Sequence, residues 1–343
     1  MKAAVYYGPR DIRIESVPEP GDPPSRGLVL EVLRGAICGT DSSEWAHGPM
    51  LARPPVVLGH EFVGRVVAAG EGVTGFAAGD RVVCGAGISC GVCEWCKAGR
   101  TNLCAGYLTL GLHLDGGLAE RVAAPAAICR AVPDAVADDA AAMAQPLAVA
   151  LHAVGRSGIE RGQSCAVVGV GGIGAFVVAA AADRGADPLI AVDIDEARLE
   201  RARLLGAQVT VDARAQDSTH AIRDATGGEG AHVVIEASGV AHAPALALAA
   251  ARRGGRAVIV GLQSAPRELD LLTATVREVD VVTTVAHVCD VDLPAALALL
   301  AASELAGIVL DRVIPLGDLV DEGIRPLADR TARGKIVVDP RAG

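Results

Sequence analysis

Aromatic side chains are scarce in this sequence, with three phenylalanines, three tyrosines and two tryptophans among 343 residues. A substrate pocket built from this chain must be lined mainly by aliphatic and polar groups. Positive charge is not concentrated anywhere. The formal net charge is −10 and no basic cluster occurs, which argues against nucleic acid or an anionic membrane surface as a partner. No signal-peptide apolar core opens the chain, because charge returns at Arg10 after Met1-Lys2-Ala3-Ala4-Val5-Tyr6. One long uncharged run exists, Gly162 to Ala182, but glycines at 169, 171, 172 and 174 interrupt it. It reads as a buried strand, a turn and a buried helix, not as a membrane span.

What is present suits a globular α/β protein. The composition is 51% hydrophobic, and the length points to two domains. Nine cysteines with no secretion signal imply thiols kept reduced, and hence a cytoplasmic location. Four of them, Cys90, Cys93, Cys96 and Cys104, crowd into fifteen residues. This spacing can close a tetrathiolate around zinc with no open position, which makes a structural site. Cys84, Cys129, Cys165 and Cys289 read as small buried residues.

A second donor set is looser. Gly59-His60-Glu61-Phe62-Val63-Gly64 places an imidazole beside a carboxylate, with Cys38 22 residues upstream at what reads as a strand end passing into a turn. Thiolate, imidazole and carboxylate are the ligands of a borderline-soft divalent ion, zinc above all.

From Ser164 onward, strands and helices alternate. Strands are expected at Cys165–Val168, Leu189–Val192, Gln208–Val211, His232–Ile235, Arg256–Val260 and Val279–Val285, which implies a parallel, doubly wound sheet. Asp138 to Val154 reads as one alanine-rich helix. The fingerprint Gly169-x-Gly171-Gly172-Ile173-Gly174 follows an apolar strand and opens a helix, and Asp193 stands 19 positions beyond Gly174 at the next strand end. The glycines admit a pyrophosphate to the helix N-terminus, and Asp193 suits the ribose hydroxyls of NAD while repelling the 2′-phosphate of NADP. Arg198, which could reverse that preference, reads as a solvated surface charge.

With these pieces placed, the chain resembles the zinc-containing medium-chain dehydrogenase/reductase family (the alcohol dehydrogenase superfamily). Gly59-His60-Glu61-x-x-Gly64, Gly70 and Val73 match its zinc signature. Cys38-Gly39-Thr40-Asp41 and Pro146-Leu147-Ala148-Val149-Ala150-Leu151-His152 look most like the butanediol, sorbitol and threonine dehydrogenase branch. The resemblance implies a GroES-like β-rich catalytic domain over residues 1–152, carrying a structural zinc lobe at about 84–108. It implies a Rossmann NAD-binding domain over 153–286, a return to the catalytic domain over 287–343, a cleft between the domains, and homodimers or homotetramers. Two zinc ions per chain and NAD would be the cofactors. Cys38 and His60 would hold the catalytic ion, Glu61 would be a further ligand or a near neighbour of it, and Gln145 could offer an amide oxygen. Thr40 would hydrogen-bond the substrate oxygen and pass its proton outward, through Ser43 and water or through another group, and Asp41 would orient His60. Ser238 and Val260 would line the cofactor and Lys335 would reach its pyrophosphate, unless it is an exposed terminal lysine.

The expected activity is zinc-dependent hydride transfer between a secondary alcohol, diol or polyol, or the matching ketone, and NAD. Two departures from the branch bear on it: Gln145 stands where an acid is usual, and Ser43 where a histidine is usual. Both would also fit a reductase that has lost its catalytic metal, and a non-catalytic dinucleotide-binding protein is a separate alternative. Trp45, His47 and His113 fall on segments expected to border the cleft, and His152 reads as a packed helical residue. The substrate, the reaction direction and the choice of dimer or tetramer are not written in these residues.

Overall fold

The computed structural model describes residues 1–263 and 265–342. The chain divides into two compact units, one of residues 1–148 with 287–343 and one of residues 149–286.

The first unit is β-rich. Its main sheet is organised on the strand Gly27–Ala36, which pairs antiparallel with Glu61–Ala69, with Arg121–Pro125 and with the C-terminal strand Lys335–Asp339. Alternation along that strand sends Leu28, Leu30 and Val32 inward, where they meet Phe62, Val66, Val82, Val122 and Ala124. The C-terminal segment thus completes a sheet begun by the first seventy residues. A second core gathers Tyr6, Ile37, Trp45, Leu58, Leu118, Ile336 and Val338. The cysteine-rich segment has only a two-residue strand pair, Gly87–Ile88 with Leu108–Thr109. So small a sheet cannot hold itself together in water.

The second unit contains, among the described residues, a six-stranded parallel sheet. Its spatial order is Val209–Asp212, Leu189–Asp193, Cys165–Val168, Ala231–Glu236, Ala251–Ile259 and Asp280–Thr283. The first three strands run back from the centre and the last three run forward. The order therefore reverses between Cys165–Val168 and Ala231–Glu236, the place where such sheets take their ligands. The strands Cys165–Val168 and Leu189–Asp193 are buried along their whole length, as inner strands of a parallel sheet are.

The expected helix Asp138–Val154 is two helices, Asp138–Ala141 and Ala144–Ser157. Pro146 explains the break. Its ring collides with the carbonyl four residues back, Ala142, so a continuous helix cannot pass through Ala142–Met143.

Candidate metal and cofactor sites

Cys38 does not stand at the start of a turn. It caps the helix Gly39–His47, and its amide donates to Asp41 Oδ2 at 2.9 Å. An acid at the third helical position closing back on the cap is a helix-start device, and that is what the sequence reading missed. His60 and Glu61 enter from the other side, at the start of Glu61–Ala69. Gly59 sets their approach: its φ is +102°, and a Cβ there would fall 2.5 Å from the Leu118 amide nitrogen. No other residue fits that position.

The sequence-predicted trio converges. One donor atom each from Cys38, His60 and Glu61 lies within 4.8 Å of the others. Zinc bonds of about 2.0–2.3 Å require little more than a small contraction of such a set. The surroundings fit a cation as well. His60 Nδ1 and Asp41 Oδ1 are buried with no hydrogen-bond partner and lie 3.7 Å apart. Burial alone would push the His60 imidazole down, yet Cys38 and Asp41 beside it carry it up to about 10. The pocket is built to stabilise positive charge.

Lys335 stands in this cluster. It is 6% exposed, which overturns the alternative of an exposed terminal lysine, and its ammonium forms an ion pair with Glu61 Oε2. Thr40 Oγ1 lies 3.6 Å from Cys38 Sγ, and Ser43 follows three residues later on the same helix, half-buried. Gln145 is buried in the first turn of Ala144–Ser157. Glu44, next to Ser43, is a residue that the sequence did not single out for a structural role. Its buried carboxylate accepts the amides of Met50, Leu51 and Ala52 at 2.8, 2.6 and 3.2 Å, fixing the segment that leaves the helix.

The four clustered cysteines also meet. The sulfurs of Cys90, Cys93, Cys96 and Cys104 all lie within 4.8 Å of one another. Backbone amides of Val92 and Cys93 pull the Cys90 thiol down to about 6, toward the thiolate that ligates metal. Burial holds Cys96 up, at about 11. Four sulfurs leave no position for substrate, so this set fits a structural ion.

In the second unit, Gly171 caps the helix Gly172–Asp183, directly after the strand Cys165–Val168. Asp193 ends the neighbouring strand. Its carboxylate accepts the amides of Val170 and Ile194, each at 2.8 Å, and of Asp195 at 3.1 Å. Asp193 thus ties the glycine turn to its own strand end. Arg198 is not a solvated surface charge. Its side chain is 18% exposed and its guanidinium lies 3.8 Å from Asp193 Oδ1, because the helix Glu196–Leu204 turns it back over the strand end. Ser238 and Val260 follow the ends of the next two strands, both half-buried.

The weaker candidates separate. Trp45 is buried, packed under the Arg10 guanidinium at 4.2 Å, while His47 is exposed. His113 Nδ1 accepts the Thr109 amide at 3.0 Å. Cys84, Cys129 and Cys165 are buried as expected, and Cys289 is half-buried.

Two family models match this chain: an alcohol dehydrogenase GroES-like domain over residues 25–134 and a zinc-binding dehydrogenase domain over residues 172–302. The chain is 36% identical to a sorbitol dehydrogenase of Bacillus subtilis (strain 168) over 268 residues, 77% of this chain and 76% of that one. Its structure resembles that of 2R,3R-butanediol dehydrogenase from Bacillus subtilis, with a TM-score of 0.91, 31% identity and 99% of each chain covered. A zinc-binding dehydrogenase from Sinorhizobium meliloti 1021, bound to NADP, is similar at a TM-score of 0.90 and 33% identity, again over 99% of each chain.

Proposed function

This chain belongs to the zinc-binding dehydrogenases that carry an alcohol dehydrogenase GroES-like domain, and from that premise we propose that it oxidises a secondary alcohol, diol or polyol, or reduces the matching ketone, at a zinc ion held by Cys38, His60 and Glu61. The observation that carries this reading is the convergence of those three buried or half-buried donors in one place. The sorbitol and butanediol dehydrogenases among its relatives support the substrate class.

When bound, the ion supplies Lewis acidity to the alcohol oxygen and the nicotinamide dinucleotide supplies the hydride acceptor. The protein's own groups do the rest. The Thr40 hydroxyl, beside Cys38, takes the proton of the alcohol and hands it toward Ser43 on the solvent side. Asp41 holds the Cys38 amide and faces His60, keeping the imidazole oriented. Gln145 offers a neutral oxygen where an acid would add charge. Glu61 is then the carboxylate that balances the ion, shared with Lys335. Cys90, Cys93, Cys96 and Cys104 would hold a second zinc, which would tie their lobe together.

NAD is the proposed cofactor, since Asp193 presents a carboxylate at the strand end where the ribose hydroxyls lie. Arg198 beside it offsets part of that charge, so NADP is the second cofactor to test. Pairing of two copies along the edge strand Asp280–Thr283 is part of the proposal. Among the described residues that strand ends the sheet, and Val281, Leu271, Leu272 and Val276 are exposed beside it. A cytoplasmic location agrees with nine unpaired cysteines.

The test is metal analysis joined to a dehydrogenase assay. Two zinc ions per chain are expected, with NADH absorbance rising on a panel of secondary alcohols and diols and falling on their ketones. One zinc with full activity, or dinucleotide binding with no hydride transfer to any compound, would sink the reading.

A further inference from the structure

Glu236 is fully buried at the end of the strand Ala231–Glu236, and neither the glycine fingerprint nor the metal cluster accounts for it. Its partners in the sheet are Val168 on one side and Ile259 on the other, the ends of the two flanking strands. Carboxylate oxygen Oε1 accepts three hydrogen bonds of 2.7 Å, from the amide and the hydroxyl of Ser238 and from the amide of Gly239. Its backbone carbonyl accepts the amides of Val260 and Gly261 at 2.9 and 3.2 Å. Oxygen Oε2 is buried with no hydrogen-bond partner.

A buried carboxylate with one unpartnered oxygen is a poor device for stability, because desolvation costs more than three hydrogen bonds to one turn return. What the arrangement secures is position. Ser238 Cβ lies 2.4 Å from where a Cβ on Gly169 would stand, so the glycine turn rests directly on the Ser238 turn. Gly174 is pressed as closely on Gly169, with a Cβ there falling 1.8 Å from the Gly169 oxygen. Gly261 closes the stack from the other side: its Cβ would lie 2.5 Å from Glu236 Oε2 and 2.4 Å from the Gly239 nitrogen. A shift in the Glu236 carboxylate must therefore move the Ser238–Gly239 turn, and with it the glycines.

We infer that Glu236 is a positioning residue for the dinucleotide: its carboxylate sets where the Ser238–Gly239 turn lies, and so the height of the glycine turn that receives the pyrophosphate. The inference rests on the cofactor site proposed above.

Glu236→Ala is expected to raise both the NADH dissociation constant, read from the fluorescence of bound NADH, and KM for NAD about tenfold. The kcat at saturating NAD should stay within about twofold of wild type, since the loss is in binding, and zinc content should be unchanged. Glu236→Gln keeps an accepting oxygen and should restore most of the affinity. If the alanine variant does not fold, Gly261→Ala tests the same stack from outside, because its Cβ would stand 2.5 Å from Oε2 and 2.4 Å from the Gly239 nitrogen, so the carboxylate and the turn it holds must both move. A folded Glu236→Ala, or a Gly261→Ala, that binds NADH as tightly as wild type overturns the inference and leaves the cofactor site intact. Wild-type protein that binds neither NADH nor NADPH overturns the cofactor site itself, and the inference with it.

Discussion

The Lys335 ammonium lies against the Glu61 carboxylate, both nearly buried, in the cluster that also holds Cys38 and His60. One carboxylate is thus shared between a fixed cation of the protein and the ion the cluster is built to hold. Lys335→Met should free Glu61 for the metal and slow zinc loss to a chelator. The same change should lower the melting temperature of the zinc-free protein, since breaking one side of a buried pair costs about 3–5 kcal/mol. Zinc lost faster than from wild type would show that Lys335 supports the ion in another way.

Gln145 offers a converse test. Gln145→Glu restores charge beside the proposed catalytic zinc and should slow its loss to a chelator, on the order of tenfold for a change at the ligand shell. Unchanged chelator resistance would place Gln145 away from the metal.

The cysteine lobe should be separable from catalysis. Cys104→Ser removes one of four sulfurs that meet within 4.8 Å and should drop the zinc content from two ions to one. The segment around residues 84–108 should become susceptible to protease, because its two-residue strand pair cannot stand alone. A variant that keeps both ions and resists protease would count against a structural site.

His232 predicts a pH dependence of stability. Burial, and then the Arg252 guanidinium 2.5 Å from Nε2, hold its imidazole below the usual value of 6.5. The unfolded chain therefore takes up a proton before the folded one does. Stability from this site is complete above about pH 6.5 and is lost as pH falls through that value toward the depressed folded pKa. The denaturation midpoint of wild type should drop between pH 7.5 and 5.5 more steeply than that of His232→Gln. His113, held low by burial and by Arg53, adds a slope of the same sign that the substitution leaves in place. Equal slopes for the two proteins would remove His232 from the account.

Much of this molecule is legible in one dimension. The tetracysteine spacing, the glycine fingerprint with Asp193, and the Gly59–Val73 signature are local patterns whose chemistry follows from residue types a few positions apart. The strand–helix alternation after Ser164 likewise announces a parallel sheet, because each element carries its own periodicity. Even the break at Ala142–Met143 was written in Pro146, although the alanine-rich run around it suggests an unbroken helix.

What the tertiary structure alone decided are the partners that the charged side chains meet. Lys335 meets Glu61 because the last strand returns to pair with Gly27–Ala36, a contact between residues 274 positions apart in the sequence. Arg198 lies beside Asp193 because the helix Glu196–Leu204 turns it back there, and Glu236 stands between Val168 and Ile259 because sheet order places those strand ends on either side of it. A residue type tells what a side chain can do. Which opposite charge, amide or glycine it faces depends on how the sheets bring distant segments together, and no local pattern encodes that.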